Sequence, residues 1–240
     1  MAPTPALADL LDRAYAVFGA APPPRRVDAC GHCADGEELD RMFARPLRAW
    51  TTRDVDSIVG SLGTTIGGER EVRHLAPRLV ARLADLDAAP PRELIGCALR
   101  SGGWPAWPAA EVASLRLLLA AVVRDVMLDP DGARDVEGTL AAIAQFEDDI
   151  VPYLGVWASL PPRERSLALL RVLCALGGEL RTGDPRTAAW WAAAPKQFAA
   201  LRAFVLDPAR LLDAADHAGD PALGRDAELA RTWLDVLSRA

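Results

Sequence analysis

Cys30-Gly31-His32-Cys33 is the stretch of this chain whose residue types and spacing could do chemistry. Two thiols separated by two residues can point both sulfurs at one ion, or can cycle between dithiol and disulfide. The same four letters occur in protein disulfide isomerases, where they open a helix directly after a buried strand. Here they follow a helical pattern and a Pro22-Pro23-Pro24 break, with no βαβ pattern around them. The redox reading therefore lacks its context, and the metal reading needs partners. The nearest candidate is His74, which gives the set Cys30, Cys33 and His74 on a zinc-like ion. The fourth ligand is left open among His32, Asp28, Glu37, Cys97, Cys174 and a water. A disulfide closing so short a loop gains only ~2 kcal/mol. A structural zinc can contribute ~10 kcal/mol to folding. A side chain in the fourth position would make the ion structural, and a water facing a pocket would make it catalytic.

The elements that must position these residues read as helices. Leu7, Leu10, Leu11, Ala14 and Phe18 share a face over residues 5–18. A short helix is expected over 36–44, and another is capped by Thr51 or Thr52 and runs to about Leu62. GTTIGG at 63–68 reads as a flexible connection. Val72, Leu75, Leu79, Leu83 and Leu86 mark the His74 helix, in which Pro77 is a start or a kink. Further helices are expected over 91–100, 109–128, 133–158, 162–180, 186–193, 195–206, 208–217 and 221–238. Four breaks read Asp-Pro, at Asp129, Asp184, Asp207 and Asp220. The carboxylate caps the first turn and proline suits its first position, so these aspartates read as helix starts. No strand alternation is visible. The expectation is an all-α fold, an irregular bundle or a HEAT-like stack of antiparallel helix pairs. It is read as one domain over 1–240, with the metal motif in 20–90 and the helical stack in 91–240.

Residues 17–83 resemble the N-terminal part of a family of bacterial proteins. That family carries Cys-x-x-Cys after a proline-containing break, then a PLR-like segment, a threonine-glycine stretch and an RHFLPR-like motif. The matching pieces are Cys30 and Cys33, Pro46-Leu47-Arg48, Gly63-Thr64-Thr65, and Arg73-His74-Leu75-Ala76-Pro77-Arg78. The chain departs from the pattern at Ala76 and around Ile66-Gly67. The resemblance covers about the first third of the chain. It implies that the cysteines and His74 belong to one motif set, and it implies no activity.

Other candidates carry plainer readings. Cys97 and Cys174 sit in apolar helical contexts and read as buried inert thiols. His217 ends a helix where an imidazole meets C-terminal carbonyls. Trp104 and Trp107 alternate with prolines in SGGWPAWPAAE and are either an exposed recognition surface or buried plugs. Of Trp190 and Trp191, one faces the core and the other lies nearer solvent. Gln145 to Asp149 read as a solvated acidic face, with Glu147 or Asp149 free to turn into a groove.

The chain has 240 residues and a net charge of −6, with a single lysine, Lys196, among its 27 basic residues. The arginine, alanine and proline bias reads as that of a GC-rich bacterial genome. No face carries a run of basic residues, so nucleic-acid binding is disfavoured. Neither a membrane-spanning stretch nor a secretory signal is visible, and a cytoplasmic protein is expected. Walker, Rossmann, HExxH and nucleophile-elbow motifs are missing. The functional expectation is a binding or scaffold module, with another protein as its partner and a structural zinc-like site. The alternatives are a metal-dependent enzyme at Cys30, Cys33 and His74, and a thiol oxidoreductase at Cys30-Cys33.

Overall fold

A computed structural model describes residues 5–31, 35–85, 92–129 and 135–238. His32, Cys33, Leu86 and Pro130 fall outside these ranges. The described residues form α-helices and short 3-10 turns, with no strand beyond isolated bridges. The fold is all-α. Its contacts group the chain into two compact units, 1–122 and 123–240. The sequence reading places its internal division at 90/91 instead. The helix Arg92–Ser101 packs on the His74 helix and so belongs with what precedes it.

The first unit holds α1 (Pro5–Phe18), α2 (Gly36–Phe43), α3 (Thr52–Ile58), α4 (Glu69–Arg82) and α5 (Arg92–Ser101), and α6 (Ala109–Met127) begins in it. Helix α4 is its axis, with contacts to α1, α3 and α5. The expected apolar positions Val72, Leu75, Leu79 and Leu83 are all fully buried. Glu71, His74, Ala76 and Pro77 are buried too, so the helix is enclosed on more than one face. Its start is held by Glu71, whose carboxylate accepts from the Gly68 N–H at 2.8 Å. Pro77 lies inside the helix, where it removes one backbone donor and costs ~3 kcal/mol. At the other end Arg92 donates to the Leu83 and Asp85 carbonyls at 3.2 and 2.7 Å. Buried Arg82 grips Asp56 of α3 through Nε and Nη2 at 2.8 and 3.2 Å. Helix α3 starts at Thr51 and Asp54, which exchange hydrogen bonds in a capping box; the threonine cap is as expected, and the helix ends at Ile58 rather than near Leu62.

The glycine stretch 63–68 is an ordered turn rather than a flexible connection. Thr64, Thr65 and Ile66 all donate to the Ser61 carbonyl, and Ile66 is buried. Gly67 takes φ +60, and a Cβ there would stand 2.6 Å from the Glu71 Cγ. Only glycine satisfies both conditions at once.

The second unit holds the rest of α6, then α7 (Val136–Phe146), α8 (Val151–Ala158), α9 (Pro162–Thr182), α10 (Ala189–Ala192), α11 (Pro195–Val205), α12 (Pro208–Ala215) and α13 (Ala227–Ser238). Helix α9 is its axis, packed by α7, α12 and α13. Trp233 of α13 lies so close that a Cβ on Gly177 would stand 2.1 Å from its ring. The single helix expected over 133–158 is two helices, broken at residues 147–150. Pro152 explains the break, since it cannot donate to the Asp148 carbonyl and its ring crowds the preceding turn. Asp207 caps α12, while Asp184 and Asp220 cap 3-10 turns, each through its side chain. The expected helix from 221 opens as the 3-10 segment Pro221–Asp226, whose Gly224 leaves helical geometry.

Candidate functional site

The cysteine turn is held by its backbone. Cys30 N–H donates to the Thr65 carbonyl at 3.0 Å, and Gly67 N–H donates to the Asp28 carbonyl at 2.7 Å. These bonds tie residues 28–30 to the turn that opens α4. Cys30, Asp28 and Glu37 are exposed. Among the described residues no group of three or more His, Cys, Asp or Glu side chains is placed to hold a metal ion. The expected ligand Cys33 and the optional ligand His32 lie outside the described residues.

His74 lies on α4, is 8% exposed, and its Nε2 has no hydrogen-bond partner among the described residues. Burial pushes the imidazole below its ordinary pKa, and Glu71 acts in the opposite direction. At neutral pH the ring is therefore uncharged. The Phe43 ring packs beside it at 6.3 Å, and Phe43 in turn meets Trp50 edge-on at 5.0 Å.

His74 faces a cavity of about 240 Å³. Its lining includes the polar residues Tyr15, Arg45, Arg48 and His74 and the apolar residues Ala21, Pro23, Pro46 and Leu47. Cys30 is not among the lining residues. Pro46 opens a 3-10 turn over Leu47–Ala49, which turns Arg45 and Arg48 to the same cavity. Arg48 pairs with Asp12 and stacks over the Tyr15 ring at 4.8 Å. Arg45 pairs with Asp54 at 3.1 Å and lies over Trp50 at 5.2 Å. Arg78 donates to the Tyr15 hydroxyl oxygen at 3.2 Å, and its buried Nε has no hydrogen-bond partner. That contact leaves the tyrosine proton free to donate. Glu71 is engaged by Arg70 and by Gly68 N–H. Sequence reading passes over Tyr15 and Arg45 and meets Arg48 only within its PLR segment. The available signal is the Arg-Pro-Leu-Arg spacing, since a proline-opened turn can set arginines three apart on one side.

The remaining sequence candidates fall elsewhere. Trp104 and Trp107 are 0% and 4% exposed, so they are plugs and not a recognition surface. They meet edge to face at 5.9 Å, and Trp107 donates to the Gly102 carbonyl at 2.7 Å. Trp191 is buried and Trp190 half-buried, as expected. Cys97 and Cys174 are half-buried rather than buried. Burial pushes both thiols up, Cys174 to about 11, and its Sγ meets the Asp226 carbonyl at 3.6 Å. His217 Nδ1 meets the Asp213 carbonyl at 3.1 Å, at the end of α12. Glu147 is buried, not solvated, and accepts from the Tyr153 hydroxyl at 2.7 Å.

A larger groove of about 690 Å³ lies in the second unit, walled by leucines that include Leu206, Leu211, Leu234 and Leu237. None of the buried polar atoms left without a hydrogen-bond partner among the described residues lies in its wall. The His74 cavity is thus the better equipped of the two to orient a ligand.

Comparison of the chain with protein-family models, with curated proteins and with solved structures returns no match. No described helix is long and apolar enough to cross a membrane.

Proposed function

We propose that this chain is a helical binding module whose ligand site is the cavity faced by His74. One observation carries the reading: a single cavity is lined by Tyr15, Arg45, Arg48 and His74 together with apolar residues. Convergent polar groups on a partly apolar wall are what orient a small ligand. At about 240 Å³ the cavity suits a compact small molecule, below the usual range for drug-sized ligands. A fragment screen on the full chain tests this, read by the His74 imidazole resonances. Binding fragments shift those resonances and raise the melting temperature, and His74→Phe removes the rise in melting temperature. If no fragment moves the His74 signal, the reading is wrong.

A second reading keeps the zinc-like ion on Cys30, Cys33 and His74. It is favoured by the backbone bonds that tie residues 28–30 to the loop opening the His74 helix. Against it stand Arg45 and Arg48, whose positive charges line the cavity that His74 faces and repel a cation. Metal analysis of the purified chain beside Cys30→Ser decides the matter. A stoichiometric metal lost in the variant supports this reading, and a metal-free wild type removes it.

A further inference from the structure

The charges around the His74 cavity do not cancel. Arg45, Arg48 and Arg78 bring three guanidiniums, and among the described residues the acids paired with them are Asp54 and Asp12. Arg78 spends one donor on the neutral Tyr15 hydroxyl and holds a second, Nε, buried and without a hydrogen-bond partner. Counting Arg78, which meets the lining through the Tyr15 hydroxyl, the surplus is one positive charge. The polar residues of the lining are Arg45, Arg48, Tyr15 and His74. Guanidinium forks match the two oxygens of a carboxylate, and a charged acceptor strengthens each bond. In the same lining, the side chains of Ala21, Pro23, Pro46 and Leu47 offer carbon and no donor. A ligand with charge at one end and hydrocarbon at the other matches both kinds of lining residue.

We propose that the cavity binds a small monocarboxylic acid, its carboxylate held between Arg45, Arg48, Tyr15 and His74 and its short apolar chain on Pro23, Pro46 and Leu47. The inference rests on the binding-site reading above and names the class of ligand. A monoanion balances the surplus charge. A phosphate dianion exceeds it and sets a strongly hydrated group against the apolar wall.

Calorimetric titration of the full chain at neutral pH with acetate, butyrate, butyramide and inorganic phosphate tests the proposal, with His74 resonances followed in parallel. Butyrate is expected to bind more tightly than acetate, by about fourfold for each methylene that reaches the wall. Butyramide, equal in shape and uncharged, is expected to bind at least tenfold more weakly than butyrate. Arg48→Leu is expected to weaken butyrate about tenfold or more, with helix content unchanged, since this side chain is 59% exposed. Arg48→Lys recovers part of the loss, because it keeps the charge without the fork. Equal binding of butyrate and butyramide overturns the proposal, as does undiminished binding in Arg48→Leu. Phosphate binding without butyrate binding overturns it in favour of a phosphate site. If neutral fragments shift the His74 resonances while no carboxylate does, the monocarboxylate falls and the binding site stands. If nothing shifts them, both fall.

Discussion

At the scale of single residues, most side chains that could do chemistry are spoken for. Cys97 and Cys174 are held protonated by burial, Cys174 at about 11. A raised thiol pKa lowers the reactive thiolate fraction, to roughly one in a thousand at pH 8 for Cys174. Alkylation of the native chain, read by peptide mass mapping, should leave these two cysteines largely unmodified until denaturant is added; fast native labelling of either would contradict their environment. Arg73 and Glu111 form a two-point pair at 2.6 and 2.7 Å, with Glu111 9% and Arg73 33% exposed. Removing the acid leaves a half-shielded guanidinium, so Glu111→Ala should lower stability by about 2 kcal/mol in chemical denaturation, less than for a fully buried pair. A loss within error would make the pair ornamental. This residue scale was the least legible in the sequence. Cys30 and His74 stand out by type, yet the groups that surround the His74 ring come from α1 and from residues 45–48. No local pattern marks Tyr15 or Arg48, and only folding places them in one cavity lining with the histidine. Glu147 departs from the solvated face because its carboxylate accepts from Tyr153, a contact no periodicity encodes.

At the scale of elements, far more could be read. The Val72, Leu75, Leu79 and Leu83 spacing predicts α4, and all four residues are buried. Thr51 with Asp54 announces the start of α3, and Asp207-Pro208 that of α12. The failures occurred where local chemistry outweighed periodicity. Pro152 splits an apolar run that otherwise continues through 133–158. The glycines at 63–68 suggest looseness until the Ser61 carbonyl collects its three donors. The tryptophan loop admits two readings in sequence because alternation with proline does not decide burial. Trp107→Ala should now cost ~3–5 kcal/mol, as expected for a large aromatic emptied from a core, and an unchanged denaturation midpoint would return the loop to the surface. Helix α13 offers a sharper case. Gly177→Leu drives side-chain carbon into the Trp233 ring, so it should speed amide exchange across residues 227–238 more than in α7. Uniform exchange in the variant would show that α13 does not depend on that approach.

At the scale of the whole molecule, the chain is acidic, at −6, yet it gathers cationic side chains at one small cavity. Electrostatics of that kind act locally, because exposed charges more than about 10 Å away are screened at ordinary ionic strength. The two compact units also divide the aromatic residues between them. Trp50, Trp104 and Trp107 are buried in the first, and Trp157 and Trp191 in the second, leaving only Trp190 and Trp233 half-covered among the seven. The molecule therefore carries its own lamps. Native emission should lie at short wavelength, iodide should quench only a minor fraction of it, and unfolding should shift it to the red. The first-unit and second-unit indoles can be dimmed separately by Trp-to-Phe exchange, so light from one unit can be followed while the other is silent.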